Sequence, residues 1–527
     1  MNVASQPNIV FVMADQLAAG FLGCYGSGVE STPTLDRLAS EGARFERCYA
    51  HCPVCAPNRA TIFTGRSIGV HGVVTNNYVL QPDNPTFAMK LRQAGYRTGG
   101  FGKFHLTPMQ WPLPESFDYL GFDESVPTED PKLGPWLDWV EREHPEYYEQ
   151  ALAVSWPMSY ITEYGPQRRN LLPLWEEVNA RIREPLRRAS DWRLMHASPL
   201  PADLHQTTYI TDLGIDFMTR HLRRTPDRPF CCFISYVDPH DPYDPPAPYD
   251  EMFAPEDMPL PIPMQGDRYA SETLEAARDM FDFRAVADRP RVMRQLRARY
   301  HGSIKFIDDQ LARLVRFLDE KGIADNTIVV FTTDHGDMMG DHGFITKGVM
   351  HYDSGIRCPL IVRGARTARG LLCHRLVSSL DFFPTFCKWA GVQQPPPLEG
   401  KSFADACLDG NEESGWETVT VQAPQADVRS IVTRDGWRFT VFNEPGQGQM
   451  FYLRNDPQEQ NNLYREPKWA RQRVKLHEAL TRAYMQPLHV EQYRNLPERE
   501  GCRYTLSRGL RPLVPVDKPG QHQDDTG

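Results

Sequence analysis

Three runs of about seven residues constrain this chain more than any other feature. They are Asn8–Ala14 (NIVFVMA), residues 230–236 (FCCFISY) and Thr327–Thr333 (TIVVFTT). None of them alternates apolar with polar residues. A strand with one wet face reads with a period of two, so these read as strands covered on both faces, the pattern of a parallel sheet. Helical patterns lie between them. Residues 34–41 place Leu35, Leu38 and Ala39 at helical spacing, and residues 300–321 do the same with Ile304, Ile307, Leu311, Leu314, Val315 and Leu318. The alternation predicts an α/β fold with a mainly parallel central sheet sandwiched by helices.

The 527 residues leave room for a second, smaller unit. The expected organisation is an α/β domain over 1–395, with a Trp- and Pro-rich insertion at 108–205. That insertion holds Trp111, Trp136, Trp139, Trp156, Trp175 and Trp192 and shows no clear strand. Its aromatics read either as local core or as a wall for substrate. Residues 394–397 (QPPP) read as a linker. Three short alternating strands at 418–422, 429–433 and 437–443, then a helix pattern at 468–485, predict a smaller α+β domain over 400–505. Residues 506–527 read as an extended tail.

Composition narrows the partners. The net charge of −10 argues against a general nucleic-acid or anionic-membrane binder. No apolar run approaches the roughly 18 residues of a membrane span. No Lys or Arg precedes the first apolar run, so a secretory signal is not expected and a cytoplasmic chain with free thiols is. The 11 cysteines are an odd number, so pairing cannot account for all of them.

Two of the predicted strands end on acids: Asp15 closes the first and Asp334, followed by His335, closes the Thr327–Thr333 run. Ligands of open α/β sheets bind at the carboxyl ends of strands. Asp15 and Asp334, with His335 and Gln16, form a candidate set for Ca²⁺, Mg²⁺ or Mn²⁺. Read singly, each acid is equally a helix N-cap. The stretch Cys55-Ala56-Pro57-Asn58-Arg59 then predicts a helix start, because Pro57 suits a first turn. Cys55 would sit where backbone N–H groups favour an anion, and Arg59 would fork onto a tetrahedral oxyanion. Two other readings stay open from the residues alone: Cys52-x-x-Cys55 as a redox pair, and Cys55 as a buried structural thiol.

Cys55-Ala56-Pro57-Asn58-Arg59 with Thr64-Gly65-Arg66 resembles the C-x-P-x-R…TGR element of type I sulfatases in the alkaline phosphatase superfamily. Pro7–Gln16, Thr32–Gly42, Gly102-Lys103-Phe104-His105, Pro239-His240-Asp241-Pro242, the stretch from Thr333 to Lys347 and that from Tyr452 to Leu463 resemble further elements of that family, in its order. Asp15-Gln16, where many members carry Asp-Asp, is similar to the choline-sulfatase and phosphonate monoester hydrolase branches. Asp334-His335 stands where many carry Asp-Asn.

The resemblance implies hydrolysis of a sulfate monoester, small-molecule or saccharide. Cys55 would be oxidised to formylglycine by a formylglycine-generating enzyme, and its hydrate would attack sulfur to give a covalent sulfo-enzyme. It implies one divalent cation, Ca²⁺ ahead of Mn²⁺ or Mg²⁺, on Asp15, Gln16, Cys55, Asp334 and His335. Arg59, Lys103 and Lys347 would neutralise the transferred group, and His240 or Lys347 would protonate the leaving oxygen. His105 would contact the diol, Asn76 would bind a substrate oxygen, and Asp337 is a further candidate that equally suits a turn. Phosphonate or phosphate ester hydrolysis on the same scaffold is the alternative, and a homo-oligomer is compatible with the tail.

Overall fold

Strand β1 (Asn8–Ala14) is buried along its whole length and runs between two parallel neighbours, β5 (Phe230–Ser235) and β6 (Thr327–Thr333). Phe11 lies opposite Phe233 on one side and Val330 on the other. The three unalternating runs are thus three adjacent central strands. The computed structural model describes residues 6–264, 271–279, 286, 289–393 and 399–485.

The sheet has eight strands. With β2 (Ala43–Tyr49), β3 (Arg97–Gly102), β4 (Glu124–Pro127), β7 (Arg357–Gly364) and β8 (Leu371–Ser378), its order is β4-β3-β5-β1-β6-β7-β2-β8. All neighbours pair in parallel except β7, which is antiparallel to β6 and β2.

Because side chains alternate across a strand, β1 feeds two cores. Ile9, Phe11 and Met13 point to one face, where Phe11 packs against Phe87, Phe233, Phe382 and Phe386 with ring centroids 5.0–5.9 Å apart. Val10 and Val12 point to the other, against Ile304, Ile307 and Leu311 of the helix Pro290–Glu320 and Ile210 and Phe217 of the helix Gln206–Arg224. Burying one such aromatic or aliphatic side chain contributes about 1.5–3 kcal/mol. The helix expected from residue 300 starts at Pro290, since Val292, Met293 and Leu296 extend the same apolar stripe upstream.

Residues 108–205 contain a strand that sequence reading missed. β4 is four residues long and carries its pairing from β3, with Gly100 opposite Ser125 and Phe101 opposite Val126. Such a short edge strand has no periodicity of its own to read. The tryptophans of this segment are mainly core. Trp136 packs with Leu137, Val140 and Leu152 and donates to the Leu204 carbonyl at 3.0 Å, Trp192 joins the main core, and only Trp111 is over half exposed, at 54%.

The C-terminal sheet has four antiparallel strands, ordered β12 (Gly448–Tyr452), β11 (Trp437–Val441), β10 (Val428–Thr433), β9 (Thr418–Ala423). β12 is one more than expected. Its Gly448-Gln449 start has weak strand propensity, and pairing of Met450 with Phe439 decides it. The helix Ala470–Tyr484 packs Leu476 on this sheet, while Val419, Val421 and Val432 join Tyr49, Ile356 and Leu376 of the larger unit. The predicted linker and tail lie outside the described residues. Among the described residues no helix is long and apolar enough to cross a membrane.

Candidate active site

The carboxyl ends of β1, β3, β5 and β6 deliver Asp15, Lys103, Ser235 and Asp334-His335 to one place. Opposite them the helix Cys55–Thr64 begins, with Cys55 as its first residue. Val54 before it is extended, Pro57 in the first turn has no N–H to leave unpaired, and Gly65 at φ 63° closes the far end by donating to the Thr61 carbonyl. No side chain caps the start from Val54. Asn76 does so from a distance: its Oδ1 accepts from Ala56 N at 3.1 Å. All ten residues of this helix are buried, so it is anchored inside the fold rather than laid on it.

Asp15, Cys55, Asp334 and His335 place one ligand atom each within 4.8 Å of one another, all buried. Neither acid is a helix cap. Asp334 Oδ1 accepts from Gln16 N at 3.1 Å and His335 N at 3.0 Å, and Asp15 is gripped by cations. His335 Nδ1 lies 2.9 Å from the Gly336 carbonyl, which assigns the proton there and leaves Nε2 as a lone pair, 3.1 Å from Cys55 Sγ. Burial pushes the His335 pKa down despite Asp334 and Asp15, keeping the ring neutral. Two carboxylates and a neutral imidazole oriented by a backbone carbonyl fit a divalent cation. Gln16, expected as a further ligand, turns its amide elsewhere: Nε2 donates to Asp337 at 2.5 Å and Oε1 accepts from Lys347.

Arg59 does form a fork, but onto protein carboxylates. Nε donates to Asp334 Oδ2 at 2.8 Å and Nη2 to Asp15 Oδ2 at 3.0 Å, while Nη1 reaches the Lys103 carbonyl and Ser235 Oγ at 2.7 and 2.9 Å. The guanidinium is fully buried, and these four acceptors all belong to the protein, so it braces the two acids. Burial alone would raise the Asp15 pKa, but Lys103 and Arg59 outweigh it and hold Asp15 well below the usual carboxylate range. Lys103 Nζ sits 2.5 Å from Asp15 Oδ2 and 2.5 Å from Asp130 Oδ1. It gets there because Gly102 has φ +104° and a Cβ at that position would lie 1.9 Å from the Ser235 carbonyl oxygen.

Lys347 and His240 touch through Nζ and Nε2. Burial works against the Lys347 charge, but Cys55, Asp241 and Asp15 raise its pKa. Burial and Lys347 also lower His240, yet Asp241, Asp130 and the Cys55 thiol carry it up to about 9. His240 Nδ1 lies 2.7 Å from the Asp241 carbonyl, which fixes the ring with Nε2 toward Lys347. Both groups lie close enough to Cys55 for it to raise their pKa values. His105 is fully buried at φ 51°, neither ring nitrogen has a partner among the described residues, and burial lowers its pKa to about 3. Asp337 is a turn residue, accepting from Met339 N and Thr346 N at 2.9 Å each and from Tyr243 Oη at 2.8 Å.

Other residues of the site went unassigned in the sequence. Asn58 is buried, takes His51 N at 3.1 Å and Cys52 N at 3.3 Å on Oδ1, and donates to the Asp334 carbonyl. Glu129 and Asp130 follow β4, so missing that strand hid them. The redox reading of Cys52 and Cys55 finds no support: both are free, and burial pushes the Cys52 thiol up, opposite to a reactive thiolate.

The sulfatase family model matches residues 7–392, and that of the N-sulphoglucosamine sulphohydrolase C-terminal region matches 340–486. An arylsulfatase from Clostridium perfringens is 30% identical over 87% of this chain and 90% of its own length. The crystal structure of a phosphonate monoester hydrolase from Agrobacterium radiobacter shares the fold, with a TM-score of 0.69 and 24% identity over 91% of this chain and 96% of that one. So does a protein solved in complex with its substrate D-glucosamine-2-N,6-O-disulfate, with a TM-score of 0.61 and 23% identity over 93% and 98%. With a site of two acids, an imidazole and a helix-start cysteine at the strand ends, the chain belongs to the sulfatase family of the alkaline phosphatase superfamily and is a sulfuric ester hydrolase.

Proposed function

We propose that this chain hydrolyses sulfate monoesters with position 55, as formylglycine hydrate, supplying the attacking oxygen. The observation that carries the reading is the placement of Cys55 Sγ, 3.1 Å from His335 Nε2 and 3.7 Å from Asp15 Oδ1, at the start of a buried helix. A divalent cation held by Asp15, Asp334 and His335, with calcium the first expectation, would supply Lewis-acid polarisation of the ester's oxygens. Lys103 and Lys347 flank the same point and offset charge on the transferred group. Lys347 and His240, in contact with one another, would supply the proton for the leaving oxygen. His105, with both ring nitrogens unpartnered among the described residues, is available to the hydroxyl that releases sulfate. Asn76 holds the Ala56 N–H and so fixes the approach of position 55; a contact of its amide nitrogen with substrate belongs to the same reading.

The test has two arms. Tryptic mass analysis after co-expression with a formylglycine-generating enzyme should show the peptide of Cys55 lighter by the exchange of sulfur and two hydrogens for one oxygen. Cys55→Ala should then be folded and inactive. An unconverted peptide in an active enzyme would sink the nucleophile assignment. The phosphonate reading is favoured by one observation, the fold shared with phosphonate monoester hydrolase. Turnover of an aryl sulfate against an aryl phosphonate monoester with the same leaving group decides between them.

A further inference from the structure

Lys103 is held by two buried carboxylates, and the chemistry above accounts for only one. Asp15 belongs to the ligand group; Asp130 does not. Asp130 is 3% exposed and its Oδ1 lies 2.5 Å from Lys103 Nζ. Lys103 holds the Asp130 carboxyl down at about 2, against burial, so the acid is charged. Its neighbour Glu129 takes the N–H groups of Phe104 and His105 on Oε1 at 3.0 and 2.8 Å. The doublet therefore cradles the whole Lys103–His105 turn, Glu129 through the backbone and Asp130 through charge.

A count of charges gives that carboxylate a purpose. Arg59 is committed to Asp15 and Asp334, and Asp241 lies against His240. The ammonium groups that remain at the site are those of Lys103, which also pairs with Asp15, and of Lys347, and they act beside the divalent cation the site would hold. Asp130 cancels one of them without occupying the ligand group. A sulfate monoester brings one negative charge, whereas a phosphate monoester of the same shape brings two above neutral pH. A pocket with one positive charge fewer discriminates against the second.

We propose that Asp130, through its ion pair with Lys103, is a specificity-determining residue that sets the site for a monoanionic transferred group and against a dianionic phosphate monoester. The inference rests on the sulfate-ester reading above. It acts through Lys103, so Asp130 is a positioning residue and not a catalytic one.

The experiment measures kcat/KM for 4-nitrophenyl sulfate and 4-nitrophenyl phosphate at a pH where the phosphate ester is dianionic, on converted, metal-loaded enzyme. Asp130→Asn is expected to raise the phosphate-to-sulfate ratio by roughly tenfold or more, as removal of a unit charge from a partly buried site implies. Asp130→Glu, which keeps the charge, should hold the ratio near the wild-type value. Asp130→Ser provides a second neutral side chain should the amide variant fail to fold, and the same rise is expected of it. Equal losses on both substrates in the neutral variants, with the ratio unchanged, would overturn the proposal and leave Asp130 a structural brace. A ratio that moves as far in Asp130→Glu as in the neutral variants would overturn it too. Absence of aryl sulfate turnover in the wild-type enzyme would instead count against the sulfate-ester reading, so the two failures are separable.

Discussion

Replacing Arg59 with methionine tests how the site is held together. The guanidinium donates to two carboxylates, a carbonyl and a hydroxyl, all at 2.7–3.0 Å and all out of water. Methionine keeps most of the volume and removes every donor. Breaking a buried ion pair by deleting one partner costs about 3–5 kcal/mol, because the acids left behind stay buried with less countercharge. The orphaned Lys103 carbonyl and Ser235 hydroxyl add about 1 kcal/mol or more each. The expected total, about 5–7 kcal/mol, is a large share of the roughly 5–15 kcal/mol that holds a typical domain. Urea unfolding in EDTA measures the loss, and repeating it with Ca²⁺ measures how much returns. A cation on Asp15 and Asp334 replaces the missing charge, so calcium should stabilise Arg59→Met more than the wild type. A loss under about 1 kcal/mol in EDTA would refute the bracing role. No stabilisation of either protein by added cation would refute the assignment of those acids as ligands.

Three further outcomes are expected. Asn58→Ala, which takes the acceptor from the Cys52 N–H, leaves the His51 N–H with Ser379 Oγ at 3.4 Å and takes a donor from the Asp334 carbonyl, should cost about 2–3 kcal/mol and weaken cation affinity measured by calorimetry. His51 is buried against Thr420 and Gln422, and burial lowers its pKa to about 4. Unfolded chains take up this proton below about 6.5 and the folded one only near 4, so stability falls with pH across that window; His51→Gln should remove about 2 kcal/mol of the loss between pH 7 and 5 in denaturant melts. Gly102→Ala should leave little folded protein, because the new Cβ would meet the Ser235 carbonyl at 1.9 Å; normal yield and activity would show that the turn can shift.

How far the sequence carried the reading depends on what each residue answers to. The unalternating strands announced the central sheet because burial on both faces writes itself into composition, and the helix start at Cys55 followed from Pro57. Asp15, Asp334 and His335 were legible as strand-end donors, and they meet. Local pattern said nothing of β4 or β12, whose pairing comes from a partner strand, nor therefore of Glu129 and Asp130, which hang from the end of β4.

The sequence by itself determined the layered α/β fold, the family and the cast of the site, because hydrophobic period, turn chemistry and motif spacing are properties of neighbouring residues. Only the tertiary structure decided the roles. It turned Arg59 inward onto two acids, set Gln16 on Lys347 and Asp337, packed the tryptophans of 108–205 chiefly as core, and put Asp130 on Lys103. Charged groups far apart in the chain become partners when burial removes the water that would otherwise satisfy them, and which partner each finds is a matter of distance in the folded molecule.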